Sequence, residues 1–153
     1  MIYRSFGAPD AASTAHRLAT ITRDRGLVLL IGADALRLPG AGAHLPERMV
    51  GRAAAIRRGR PKALVTVAAH SLPALIRARR AGAHAALLST VFDSRSPSAG
   101  RPLGAVRFAA LVRQAGLPVY ALGGINTKNA PRLLGSGAAG LAMVEALAAA
   151  LRT

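Results

Sequence analysis

The stretch "ALGGIN", Ala121 to Asn126, holds the residues whose type and spacing most readily do chemistry. An apolar run that reads as a buried strand ends in Gly123 and Gly124, and a polar helix start follows. Glycines leave their main-chain N–H groups accessible, and a helix N-terminus adds partial positive charge, so the junction suits an anionic group such as a phosphate. A tight turn without any ligand is the other reading of the same residues. Cysteine is absent, which excludes disulfides, thiolate metal sites and a cysteine nucleophile. His16, His44, His70 and His84 show no paired metal-ligand spacing on one element, so a zinc site is not expected. His70 is the best placed of the four, at the end of a predicted strand. His44 and His84 stand at predicted strand starts and His16 on a predicted helix.

The electrostatics point the same way. Twenty-one Lys and Arg against 6 Asp and Glu give a formal charge of +15, which attracts anions of every size. Aromatic residues make up only 3% of the chain, leaving few stacking platforms, and the basic residues are dispersed along it. The expected partner is therefore a small anionic molecule rather than a nucleic acid. A hydrophobic content of 52% over 153 residues supports one domain, residues 1–153, with a real core. No uncharged apolar run approaches the roughly 18 residues of a membrane span. The opening "MIYRSFGAPD" lacks the pattern of a secretory signal, so a cytoplasmic location is expected.

The elements that must position these residues alternate regularly. Apolar runs at Ile2–Phe6, Leu27–Ile31, Ala43–Leu45, Ala63–Val67, Ala85–Leu88, Val119–Leu122 and Gly140–Val144 read as strands. Helices are predicted over Ala11–Asp24, Glu47–Arg58, Leu72–Ala81, Leu103–Gln114, Thr127–Leu134 and Glu145–Arg152. Between Gly32 and Gly42 there is room for one helical turn at most. The strands are continuously apolar, as in parallel sheets covered on both faces. A helix, a capping glycine and a strand recur in order, which defines a parallel α/β repeat. Seven strands in one series suggest a TIM-barrel-like (β/α) fold, with an open doubly wound sheet as the alternative. A complete eightfold barrel takes ~250 residues, so the first strand–helix unit is expected to be missing or truncated, or the closure to be made by another route such as a partner subunit. Exposed strand edges at the gap would favour a homodimer.

"AAHS", "GAHAALLSTVFDSRSPSAGRPLG", "LPVYALGGIN" and "GAAGLAMVEAL" follow one another in an order and spacing that resemble the thiamine-phosphate synthase and thiazole tautomerase family. "YRSFG", "GLVLLIGAD" and "GAHLPE" extend the resemblance over Ile2 to Leu147. It implies a barrel acting on phosphorylated thiamine precursors: a thiazole phosphate nitrogen displaces pyrophosphate from an aminopyrimidine diphosphate, with Mg2+ on the leaving group. Such a reaction needs cations at the diphosphate and fixed donors at the thiazole phosphate. By resemblance, Arg4 faces the diphosphate and Asp34 is a metal ligand. Ser94 and Ser96 contact the thiazole side, and Gly123 and Gly124 hold its phosphate. The match has gaps. Phe6 stands where the family has a lysine, Ala33 for an asparagine, Met49 for the second metal aspartate with Glu47 as its nearest substitute, and Pro97 for another lysine. Thr90 falls at the tautomerase histidine, and Glu145 where a small hydroxyl residue borders the phosphate. A non-catalytic family member that binds a phosphorylated ligand is the alternative expectation.

Overall fold

The computed structural model describes residues 1–96 and 99–144, so Pro97, Glu145 and the helix expected over Glu145–Arg152 lie outside the described residues. Seven strands form one sheet: β1 (Ile2–Tyr3), β2 (Leu30–Gly32), β3 (Gly42–Leu45), β4 (Leu64–Ala69), β5 (Ala85–Leu88), β6 (Val119–Leu122) and β7 (Gly140–Ala142). Every pairing is parallel and joins sequence neighbours, in the order β1-β2-β3-β4-β5-β6-β7. A doubly wound sheet must reverse its strand order at a switch point. This one never does, so it curls as a barrel wall, and the open-sheet alternative falls away. Among the described residues β1 and β7 each pair on one side only.

Among the described residues four helices, α1 (Ala11–Asp24), α2 (Arg52–Gly59), α3 (Leu72–Arg80) and α4 (Gly104–Ala115), fill the longer crossovers. The start of α3 is written in its sequence. The Ser71 side chain accepts the Ala74 N–H at 3.3 Å, and Pro73 sits in the first turn, where its missing N–H costs nothing. Gly116, with φ of 63°, stops α4 in the left-handed conformation. Phe108, Val112 and Ala115 recur on one face of α4 and are buried against Ala86, Leu88, Val119 and Ala121. Ala53 of α2 and Ala78 of α3 cover Ala43, Leu45, Val65 and Val67 in the same way.

Those contacts fix which sheet face is which. Side chains that pack under helices point outward, so the alternate, register-matched residues Gly32, His44, Thr66 and Ala85 point to the barrel interior. Leu87, Tyr120 and Gly140 do the same further round. Burial on both faces was expected, and the interior face departs from it: Leu64 is 39% and Tyr120 38% exposed. The wall is not closed among the described residues.

Two expected helices differ. Glu47–Arg58 divides into a 3-10 turn at Glu47–Met49 and α2. Thr127–Leu134 yields only a 3-10 turn at Ala130–Leu133. There the Asn126 carboxamide oxygen accepts the N–H groups of Lys128 (2.9 Å) and Asn129 (3.2 Å), a side-chain competitor to helical pairing. The single turn at Ala33–Ala35 matches the short connection expected there.

Phe108 is fully buried at the centre of the larger apolar cluster. Phe108→Ala should lower unfolding free energy by about 3–5 kcal/mol, read from urea melts. A loss under about 1 kcal/mol would mean that α4 does not pack as described.

Candidate functional site

Parallel strands put all their carboxyl ends on one rim, and side chains at those ends meet in neighbouring pairs. On the β1–β3 side, Asp34 follows β2, and its Oδ2 accepts three hydrogen bonds from the segment leaving β1. Ser5 donates from Oγ (2.6 Å) and N–H (2.9 Å), and Phe6 from N–H (2.9 Å). Burial pushes the Asp34 carboxyl up, but the Ser5 hydroxyl and the surrounding main-chain N–H groups outweigh it and hold the pKa below its ordinary value. Arg4 lies beside Gly32, at the end of β2, and stacks its guanidinium over the Phe6 ring, 4.4 Å from the centroid. Its charge also reaches His44. Burial first, and the Arg4 charge second, lower the His44 pKa to about 4, so the ring is neutral near pH 7. His44 Nδ1 lies 2.9 Å from Thr66 Oγ1.

On the β4–β6 side, His70 follows β4, and its Nδ1 lies 3.0 Å from the Ser89 carbonyl and 3.3 Å from its hydroxyl. The carbonyl accepts only, so Nδ1 is the donor in that contact. Gly123 (φ 98°) and Gly124 (φ 64°) adopt conformations that favour glycine. A Cβ on Gly124 would collide with the main chain of Phe92 and Asp93, and one on Gly123 would press on Thr90. Close approach of the β6 exit to the β5 exit therefore accounts for both glycines sterically, whatever they bind. The Val91 and Phe92 N–H groups donate to Leu122 and Gly123 carbonyls at 3.0 Å, and Asn129 Nδ2 donates to the Gly124 carbonyl at 2.8 Å.

The six residues named from sequence thus fall in two groups on one rim. Arg4 and Asp34 share the exits of β1 and β2; Gly123 and Gly124 abut Phe92 and Asp93, directly before Ser94. Ser94 and Ser96 form a local turn, with the Ser96 N–H donating to Ser94 Oγ at 3.2 Å. Three participants were not foreseen. Ser5 anchors Asp34 across 29 positions, a pairing that no local pattern announces. Arg132 extends its guanidinium over the Phe92 ring at 5.2 Å, bringing a cation beside the double glycine. His44 lies within β3, whose C-terminal limit matches the expected one; its coupling to the Arg4 charge was not foreseen. His84 Nδ1 accepts the Val65 N–H at 3.0 Å, and His16 Nδ1 meets the Ala12 carbonyl at 2.8 Å, both structural roles.

Metal binding by protein groups alone is poorly supported. Among the described residues no group of three or more His, Asp or Glu is arranged to hold an ion. Asp34 Oδ2 already accepts three hydrogen bonds, and Glu47 is engaged by Arg77 at 2.6 Å. The donor set does not fit a resident Mg2+.

A parallel wall whose strands pair in sequence order, with helices on its outer face, defines the class of (β/α) barrels. The pattern of the thiamine monophosphate synthase family matches residues 2–147, and the chain belongs to that family. It is 32% identical over 149 residues to the thiamine-phosphate synthase of Roseiflexus sp., covering 92% of this chain and 61% of that protein. The thiamine-phosphate synthase of Chloroflexus aurantiacus is 32% identical over 140 residues, covering 89% of this chain and 64% of that protein. The chain thus spans under two thirds of either relative. Among solved structures, the thiamine phosphate pyrophosphorylase of Pyrococcus furiosus superposes with a TM-score of 0.79 at 23% identity, over 94% of this chain and 71% of that one. A 3-hexulose-6-phosphate synthase superposes at 0.63 with 13% identity, over 99% and 84%. Both support the barrel fold. Among the described residues no helix is long and apolar enough to cross a membrane.

Two predictions follow from the rim. His44 is neutral when folded down to about pH 4, whereas an unfolded histidine binds a proton below about pH 6.5. Between those values the unfolded chain holds the extra proton, so stability falls as pH falls, by up to about 3 kcal/mol. Asp34 adds a loss only at lower pH, where its carboxyl protonates. His44→Asn should flatten the stability profile between pH 6.5 and 4 in denaturant melts; an unchanged slope would refute the assignment. Gly124→Ala should cost about 2–4 kcal/mol, because Cβ strain joins a main-chain collision. A neutral effect in the same melts would contradict the close approach.

Proposed function

We propose that the rim binds a phosphorylated thiamine precursor and that the chain carries out the synthase reaction of its family. In that reaction the thiazole ring nitrogen attacks the methylene carbon of an aminopyrimidine diphosphate. The carbon–oxygen bond breaks, and pyrophosphate leaves with the bonding electrons. The observation that carries the reading is the pair of guanidiniums, Arg4 and Arg132, each stacked on a rim aromatic at opposite groups of the site. Stacking orients a guanidinium while leaving its N–H edge for phosphate oxygens. Arg4 would offset the charge of the departing diphosphate. Arg132, the Gly123–Gly124 main chain and the Ser94 and Ser96 hydroxyls would hold the thiazole phosphate. Neutral His44 would keep the floor beneath Arg4 from competing for anions.

A divalent ion would have to be held mainly by substrate oxygens, because Asp34 and Glu47 are already engaged. A cytoplasmic location goes with it. So does a homodimer covering the outer edges of β1 and β7, testable by light scattering. A second reading, a binder of phosphorylated ligands without turnover, is favoured by one observation: Asp34 and Glu47 are both already engaged.

The test is coupling of the two precursors by purified protein with Mg2+, alongside calorimetric titration of the thiazole phosphate. Turnover and saturable binding are expected. Binding without turnover would select the second reading, and neither would overturn both. Arg4→Gln should lower turnover, and Arg132→Gln thiazole-phosphate affinity, each by about 10- to 100-fold, the loss expected for a charged hydrogen bond.

A further inference from the structure

The opposite end of the barrel carries a second concentration of positive charge. Between Glu47 and Asp93 the chain has nine basic residues and no acidic one. Folding gathers five of them around two clefts at the amino ends of β3, β4 and β5. One cleft, of about 450 Å³, lies between the last turns of α2 and α3 and is lined by Arg57, Arg58, Pro61 and Arg80. The other, of about 600 Å³, lies beside it and is lined by Gly40, Arg60, Pro61 and Lys62. Pro61 is the wall they share.

Two of the arginines are fixed by main-chain carbonyls. Arg57 donates to Gly82 at 2.9 Å, and Arg60 donates to Gly40 at 2.8 Å. Each uses one N–H group in this way and retains others, so the cations are oriented before any ligand arrives. Cations on the last turn of a helix complement its dipole, which accounts for Arg57, Arg58 and Arg80 by themselves. It does not account for Arg60 and Lys62, which stand beyond the end of α2 and bring the charge onto the neighbouring connection. Among the described residues the one salt bridge is Arg77 to Glu47, so no carboxylate neutralises any of the five.

We infer that these paired clefts form an anion site distinct from the rim, whose ligand is a short phosphate chain carrying several negative charges. Both clefts are shallow and open to solvent, with room for a small ligand. Chemistry argues for phosphate: arginine forks and a lysine surround the space, and no aromatic ring lines either cleft to stack a base. Four of the five cations are neighbours in sequence, from Arg57 to Lys62, and the fold adds Arg80 to them.

The test is calorimetric titration of the whole chain with inorganic tripolyphosphate, with a short single-stranded RNA as a parallel probe. Arg60→Gln with Lys62→Gln, and separately Arg57→Gln with Arg80→Gln, should each weaken tripolyphosphate by about tenfold or more. Arg17→Gln with Arg107→Gln removes equal charge from α1 and α4 and should change affinity less than about twofold. Arg4→Gln is titrated alongside, because the rim is itself proposed to accept phosphate. It should leave the cleft-dependent binding intact, so the two sites fail or succeed separately. Melting curves establish that every variant is folded. An equal loss in the α1 and α4 variant would overturn the inference, as would the absence of saturable tripolyphosphate binding. Cleft-dependent binding of RNA without tripolyphosphate would also overturn it, in favour of a nucleic-acid surface.

Discussion

Strict pairing of each strand with its sequence neighbours is the constraint on which the rest depends. Because all six pairings are parallel, every strand leaves the sheet on the same side, and each helix returns the chain to the other. Two ends result, and they differ chemically because their connections differ. The carboxyl rim carries Asp34, His70 and the glycine pair, whereas the amino end between α2 and β4 carries a basic linker. Strands of only two to six residues supply few ladder bonds each, so the sheet is held chiefly by what packs on its outer face. Phe108, Leu75, Leu45 and the valines of β4 do that, and all are nearly solvent-free.

The rim is then tied together loop to loop. Asp34 draws the β1 exit onto β2, His70 links the β4 exit to Ser89 after β5, and the glycine pair lets the β6 exit press on Thr90 to Asp93. Each tie joins neighbours in the sheet, so local shifts at one exit are felt by the next. Asp34 shows how one group can serve two ends. Its carboxylate is held ionised by three donors, and those same bonds fix the main chain that joins Arg4 to Phe6. A carboxylate so saturated is a scaffold element before it is anything else.

Fold class was largely legible because parallel α/β repeats write themselves twice, in apolar runs and in helix-stopping glycines. The limits of α1, β5 and β6 coincide with the expected ones. Where side chains compete with the main chain, the reading failed: Asn126 and Asn129 divert the segment after β6 from helix to turn, although its composition suits either. At the rim, Gly123 and Gly124 stood out because only glycine takes their conformation. Ser5, His44 and Arg132 did not, since each matters through a partner distant in sequence. Family resemblance supplied Arg4, Asp34, Ser94 and Ser96, and physics alone would not have chosen them from among so many arginines and serines.

The scarcity of carboxylates shapes how these arginines behave. With 21 basic residues against 6 acidic ones, internal ion pairing cannot neutralise the chain, and a single salt bridge occurs among the described residues. Arginines instead satisfy themselves on carbonyls and aromatic faces: Arg57 on Gly82, Arg60 on Gly40, Arg4 on Phe6, Arg132 on Phe92. Such partners orient a guanidinium without cancelling its charge, whereas a carboxylate would do both. The field at both ends of the barrel therefore stays positive while its sources are held in place. An anion that binds there meets cations that have not already given their charge to a neighbour, which is the condition for strong recognition of phosphate by side chains exposed to water.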